Sequence, residues 1–208
     1  MPLEFLLSAL VTLLVVVDPI GIVPAFLAVT GGLSERDRRE IALRAGLIAG
    51  AILIGAALIG DWLLRQLGIT LPAFRIAGGL LLFAVAAEMV LGLRMERASK
   101  DAEQAVEEHI HNIAAFPLAI PLMAGPGAIT ATILLAGQAA YRPVWLAALL
   151  GVIVVAMAAC LVSFAAAERI RKLLGVTGNV VLSRLLGVVL AALAVQYVVD
   201  GARLAFGL

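Results

Sequence analysis

Apolar positions in this chain do not alternate with polar ones at short range; they run together in six long blocks, at 3–30, 41–64, 69–93, 113–140, 144–167 and 176–206. An α-helix needs about 20 apolar residues to cross hydrocarbon, and each block is long enough. The pattern predicts an all-α polytopic membrane protein with six transmembrane segments. The fourth and fifth blocks hold no charged residue at all. The polar connectors, 34–40, 65–68, 94–112, 141–143 and 168–175, are too short for a second domain, so residues 1–208 read as a single membrane domain.

Composition sharpens this picture. Hydrophobic residues make up 63% of the chain and charged residues 14%, against the roughly 45–50% apolar share of soluble domains. The solvent this chain expects is the lipid bilayer. A net charge of +1 without a basic arm gives no sign of a nucleic-acid partner. The one cysteine, Cys160, excludes an intrachain disulfide and a cysteine metal cluster. The first seven residues carry no Lys or Arg and their apolar run continues to Thr30, so the first segment is expected to stay in the mature protein rather than be cleaved as a signal peptide.

Charge also orients the segments. The first, third and fifth connectors with their flanks hold ten of the fifteen Lys and Arg residues, and the opposite side holds Arg65, Arg142 and Arg203. Cytoplasmic loops collect basic residues, which places both termini on the outer side. Trp62, Tyr141 and Trp145 then fall at the outer interface, where amphipathic rings prefer to sit.

The chain resembles itself. A shift of 109 positions pairs Arg75 with Arg184, Gly78 with Gly187, Gly92 with Gly201 and Arg94 with Arg203. Each half has three segments, an odd number, so the second copy enters the membrane from the opposite face. The expected architecture is two inverted three-helix repeats, 1–95 and 113–208, joined by a cytoplasmic connector at 96–112. Inverted repeats recur in secondary transporters, where the solute site lies at the midplane between the halves.

The first and fourth segments carry helix breakers in their middles. Asp18-Pro19-Ile20-Gly21-Ile22-Val23-Pro24 places a charge and two prolines where both are costly. Asp18 reads as an N-cap and Pro19 as the first residue of a half-helix running to Thr30. The fourth segment repeats the device with Pro117, Pro121 and Gly125-Pro126-Gly127, Pro126 opening a half-helix towards Gln138. One proline kink is ordinary in a membrane helix; two at equivalent places, one with a central Asp, point to a binding site. Half-helices entering from opposite sides bring two positive dipole ends together. The candidate solute-binding residues are therefore Asp18, Pro19, Gly21, Pro24, Gly125, Pro126, Gly127 and Thr130, with Thr12 as a further hydroxyl. An Asp beside free N–H groups suits a zwitterion.

Arg75 and Arg184 lie several residues inside their spans, within reach of Asp18, Glu88 or Asp200, and are candidate charge partners for Asp18 in coupling to H⁺ or Na⁺. His109 and His111 adjoin an acidic stretch, and their i, i+2 spacing suits a solvated face rather than a metal site. No nucleophile, phosphate loop or metal motif appears, so neither an enzyme nor a cofactor is expected. The rival readings are a channel of paired re-entrant half-helices and a non-transporting scaffold, and the sequence is compatible with a homo-oligomer.

These same residues, Asp18 to Pro24, the run Pro117-Leu118-Ala119-Ile120-Pro121-Leu122-Met123-Ala124-Gly125-Pro126-Gly127-Ala128-Ile129 and the Gly78-Gly79 stretch, resemble the MarC family of bacterial and archaeal membrane proteins. The likeness covers essentially the whole chain. It implies an inner-membrane protein of transporter type, with small neutral amino acids such as glycine and alanine as the substrate class.

Overall fold

The computed structural model describes residues 2–107, 112–139 and 142–207. His109, His111 and Tyr141 lie outside the described residues. Among the described residues regular structure is entirely helical: α1 Pro2–Val17, α2 Val23–Val29, α3 Glu35–Gln66, α4 Leu71–Leu91, α5 Leu93–Glu107, a wide-turn segment Ala114–Met123, α6 Pro126–Ala139, α7 Pro143–Ala165 and α8 Ala167–Phe206. Among the described residues four helices are long and apolar enough to cross a membrane, and the bent pair of Ala114–Met123 with α6, which meet at 56°, makes a fifth candidate if it is one span. Only 28–39% of the apolar windows of the four long helices is buried inside the protein. Leu47, Val144, Val162 and Leu185 are among the large side chains left outside, a surface only hydrocarbon can satisfy.

The helix ends follow from local chemistry. Ser34 accepts the Asp37 N–H at 3.2 Å and caps α3, with Glu35 and Asp37 in the first turn against its positive end. Thr70 caps α4 in the same way, taking the Ala73 N–H at 3.3 Å. Gly92, at φ +81, ends α4 in the left-handed conformation that glycine adopts without strain and turns the chain into α5. Three connectors that read as loops prove helical over much of their length. Residues 35–40 belong to α3, 94–107 to α5, and 168–175 open α8, which kinks at Gly175. Their Glu, Arg and Lys residues are good helix formers, so the helices continue past the apolar blocks.

The two interrupted segments each run the length of an unbroken helix. Phe5 of α1 lies against Trp145 at the start of α7, and Phe26 of α2 stacks on Phe164 at its end, with ring centroids 5.0 and 4.2 Å apart. Asn112 to Ala114 share a cavity wall with Asp37 and Arg44 at the start of α3, whereas Ile133 of α6 packs on Gly60 near its end. Neither segment turns back midway. The wide-turn segment is itself bent twice, at Phe116 and Ile120, both extended. Each precedes a proline, whose ring disfavours the helical conformation of the residue before it.

The most extensive helix pairing is α4 against α8, antiparallel and close because glycines line it. A Cβ at Gly79 would stand 2.7 Å from the Ala194 carbonyl oxygen and 2.7 Å from Val198 Cγ2. Gly187 sits against Ala86 and Met89, and Gly201 against Pro72 and Arg75. Small residues at such crossings let backbones approach and are the usual cement of membrane helices. Gly79→Ala is expected to lower stability by about 1–3 kcal/mol through overpacking, while Gly151→Ala, whose Cβ meets nothing within 4 Å, leaves it unchanged; thermal unfolding of the two variants in detergent checks the contrast.

Candidate functional site

A break in a helix strands backbone groups, and the first break shows where they go. Asp18 has φ +53 and is 2% exposed. Its N–H still reaches Leu14 O at 2.9 Å, but the chain then leaves the helix. Asp18 Oδ1 accepts the Gly21 N–H at 3.0 Å, and Oδ2 accepts the Ser183 hydroxyl from α8 at 2.5 Å. The Val16 carbonyl, which would face the Ile20 N–H in a continuous helix, accepts Arg94 Nη2 at 2.7 Å. Arg94 Nη1 also lies 3.3 Å from Met89 Sδ.

The new helix starts at Val23, not at Pro19 as the sequence predicted, and α2 is only seven residues long. The reason lies in Pro24. A proline is tolerated only in the first turn of a helix, so Pro24 sets the start of α2, while residues 19–22 form turns closed by Ile22 N–H to Asp18 O and Val23 N–H to Ile20 O. Asp18 caps this turn rather than the half-helix. Gly21 is required by crowding: a Cβ there would land on the Asp18 carboxylate.

The second break has no charge of its own. Ala124 N–H reaches back to Ala119 O at 2.8 Å in a wide turn, and α6 starts at Pro126 as predicted, with Ile129 N–H on Gly125 O at 3.0 Å. A Cβ at Gly125 would strike the Pro121 carbonyl. At Gly127 it would meet Val16 Cγ1 at 3.4 Å and Val85 Cγ2 at 3.3 Å. The residue two before Asp18 therefore packs directly on the second break.

Beside this junction lies a cavity of about 220 Å³, lined by Val16, Glu88, Arg94, Arg97, Asp101 and the turn Gly125–Gly127 among others. Arg97 bridges Glu88 at 2.9 Å. Arg94 stands at the start of α5, beyond the span; burial draws its pKa down, and the charges of Asp18 and Glu88 oppose that. An arginine stays a cation under such conditions. The cavity thus combines fixed charges of both signs with the N-terminal end of α6, whose first-turn N–H groups have no intrahelical acceptor.

Of the residues singled out from sequence, Gly125, Pro126 and Gly127 line the cavity. Asp18 does not; it lies behind the Val16 and Arg94 wall. Pro19, Gly21 and Pro24 belong to the turn around it. Thr130, one turn into α6, packs against Gly78 of α4. Thr12 is fully buried beside Tyr197. Arg75 packs on Gly201 and its Nε is buried without a partner, while Arg184 is exposed with its guanidinium at Gly92. Among the described residues neither makes an ion pair; Glu88 is taken by Arg97, and Asp200 accepts Gln196 Nε2 at 2.7 Å. No group of residues suited to a metal ion occurs among those described.

Sequence reasoning missed Arg94 and Ser183. Arg94 counted only as connector charge, although its pairing with Arg203 in the repeat was a usable signal. Ser183 adjoins Arg184 and carried no signal of its own. Their roles suggest a check: Gly21→Ala, which adds one methyl group, should displace the Asp18 carboxylate from Ser183 and destabilise the protein by about 1–3 kcal/mol, whereas Gly55→Ala, with open space around it, is neutral in the same melting assay.

The family described as "MarC family integral membrane protein" matches residues 3–206. Among similar proteins are the "UPF0056 membrane protein MJ1677" of Methanocaldococcus jannaschii, 34% identical and covering 98% of each chain, and the "UPF0056 membrane protein" of Archaeoglobus fulgidus, 38% identical over 96% of this chain and 92% of its own. The "UPF0056 membrane protein YhcE" of Escherichia coli is 34% identical over 92% and 88%. No solved structure matches the chain.

Proposed function

The chain belongs to the MarC family of integral membrane proteins, and from that premise we propose that it is a secondary transporter of a small zwitterionic solute, of the small neutral amino acid class, working by alternating access. The observation that carries the reading is the cavity of about 220 Å³ where the two helix breaks meet, whose lining combines Arg94, Glu88, Arg97 and Asp101 with the Gly125–Gly127 turn. Arg94 and the N–H groups opening α6 bind the carboxylate, and Asp101, the lining carboxylate not bridged to Arg97, binds the ammonium group.

Asp18 acts here as a positioning residue. It fixes the turn through Gly21 and Ser183 and supplies the negative charge that keeps Arg94 in place. It is also the group we assign to coupling, through H⁺ or Na⁺.

The alternating motion is proposed to rest on two inverted halves. Support comes from α4 and α8, where Arg184 reaches Gly92 and Arg75 packs on Gly201; the 109-residue shift exchanges these two contacts, as a two-fold axis between the halves would. Against a channel of re-entrant loops stands the course of both broken segments along α7 and α3. The orientation with both termini outside belongs to the same proposal: with Cys160→Ser as background, Ser34→Cys should be labelled from the cytoplasmic side only and Arg142→Cys from the outside only.

Transport itself is tested with the full chain in proteoliposomes. Labelled alanine or glycine should accumulate or exchange under an H⁺ or Na⁺ gradient, and Arg94→Gln, measured on the fraction that elutes as folded protein in size exclusion, should cut the rate at least about tenfold, the equivalent of one lost charged hydrogen bond. Absence of exchange under every gradient, with the protein folded, would remove the amino-acid reading.

A further inference from the structure

A second cavity is larger than the one at the breaks. It measures about 800 Å³ and opens between α2, the first turns of α3, the last turn of α7 and the start of α8, within the usual range of about 300–1,000 Å³ for ligand sites. Its wall has two zones. At the rim stand Arg36, Arg39 and Arg169, which make no ion pair among the described residues. Deeper lie Leu27, Leu43, Leu161 and Val162.

The order of these zones follows from helix geometry. Arg36, Arg39 and Leu43 share one face of α3 at spacings of three and four, so the cations sit at the helix start and the leucine about a turn further into the apolar span. On the other side α7 brings Leu161 and Val162 to the same depth, and α8 opens with Arg169 at the rim. Leu43 and Val162 are 44% and 68% exposed, so the deep zone is open sideways towards the acyl chains. The acids in the lining do not cancel the rim. Glu168 is engaged by Arg38 at 3.6 Å and Arg171 at 2.8 Å, which leaves Glu35 against three guanidinium groups that have no ion-pair partner among the described residues.

A small soluble solute needs no apolar wall open to lipid, and a free anion needs no apolar wall at all. An amphiphile with an anionic head needs both zones in this order. We propose that this cavity is a binding site for an anionic phospholipid, its phosphate held by Arg36, Arg39 and Arg169 and the start of its acyl chains lying on Leu43, Leu161 and Val162. Basic pockets between membrane helices are a recurrent way of recognising such headgroups. Its occupant would also brace α2, whose Phe26 and Leu27 form part of the wall. The proposal stands independently of the transport reading.

The test uses the full chain purified in detergent, with lipid added back. Phosphatidylglycerol should raise the melting temperature and remain attached in native mass spectrometry, while phosphatidylcholine and inorganic phosphate do neither. A triple variant, Arg36→Gln, Arg39→Gln and Arg169→Gln, should weaken phosphatidylglycerol binding on the order of a hundredfold. Arg44→Gln, an exposed residue paired with Glu40, should bind as the parent does. Equal effects of the two lipids, or phosphatidylglycerol binding retained in a folded triple variant, would overturn the proposal. So would stabilisation by inorganic phosphate alone, which would make this a soluble-anion site. Should the triple variant fail to fold, the comparison of the two lipids on the parent protein still decides.

Discussion

Inside a bilayer no water is available to a stranded backbone group, so a helix that is broken there must find its partners within the protein. This chain breaks two helices and solves the problem differently each time. At the first break side chains do the work: Asp18 takes the Gly21 N–H, and Arg94 covers the Val16 carbonyl. A carboxylate and a guanidinium are brought into the protein for that purpose, and each lowers the cost of burying the other. Ser183 completes the arrangement from α8. The break and the buried charges are therefore one feature, since the turn would be unsatisfied without the charges and the charges uncompensated without each other.

The close approach of α4 and α8 gives this feature its frame. Glycines along their interface replace side-chain interdigitation by near backbone contact, which fixes the register in which Ser183 can meet Asp18 and Gly92 can turn α5 inward. Arg94 reaches Val16 only because α4 ends where it does. A change of one residue in that register would carry Ser183 off the face that meets α1.

Hydropathy made the membrane class, the six apolar blocks and the places of both interruptions legible in the sequence, because these depend on local composition and on proline chemistry. Pro126 was read correctly as the start of α6. Pro19 was not the start of α2, because Pro24, five residues on, imposes the stricter condition. The charged connectors look like loops to a hydropathy scan, yet they are helical where their own propensities allow. Arg94 and Ser183 could not be found in this way: they act on residues 78 and 165 positions distant, and nothing in a local pattern records which face of α5 or α8 meets the first segment.

The contrast between the two breaks bears on their division of labour in the proposed transporter. The first is closed on itself, with both carboxylate oxygens of Asp18 engaged and its turn hydrogen-bonded. A carboxylate already engaged in this way gains little from the ammonium group of a solute. The second break is made of glycine and proline, has no side-chain partner for its leading N–H groups among the described residues, and forms part of the cavity wall through Gly125, Pro126 and Gly127. Its glycines are there for packing, since the Pro121 carbonyl fills the space of a Cβ at Gly125 and Val16 and Val85 fill it at Gly127. The solute should therefore be read by the second break, with Arg94 carrying the charge of the first break across to it. The Val16 contact on Gly127 ties the two breaks together, so that in the proposed transporter a movement of the first would reach the turn proposed to hold the solute.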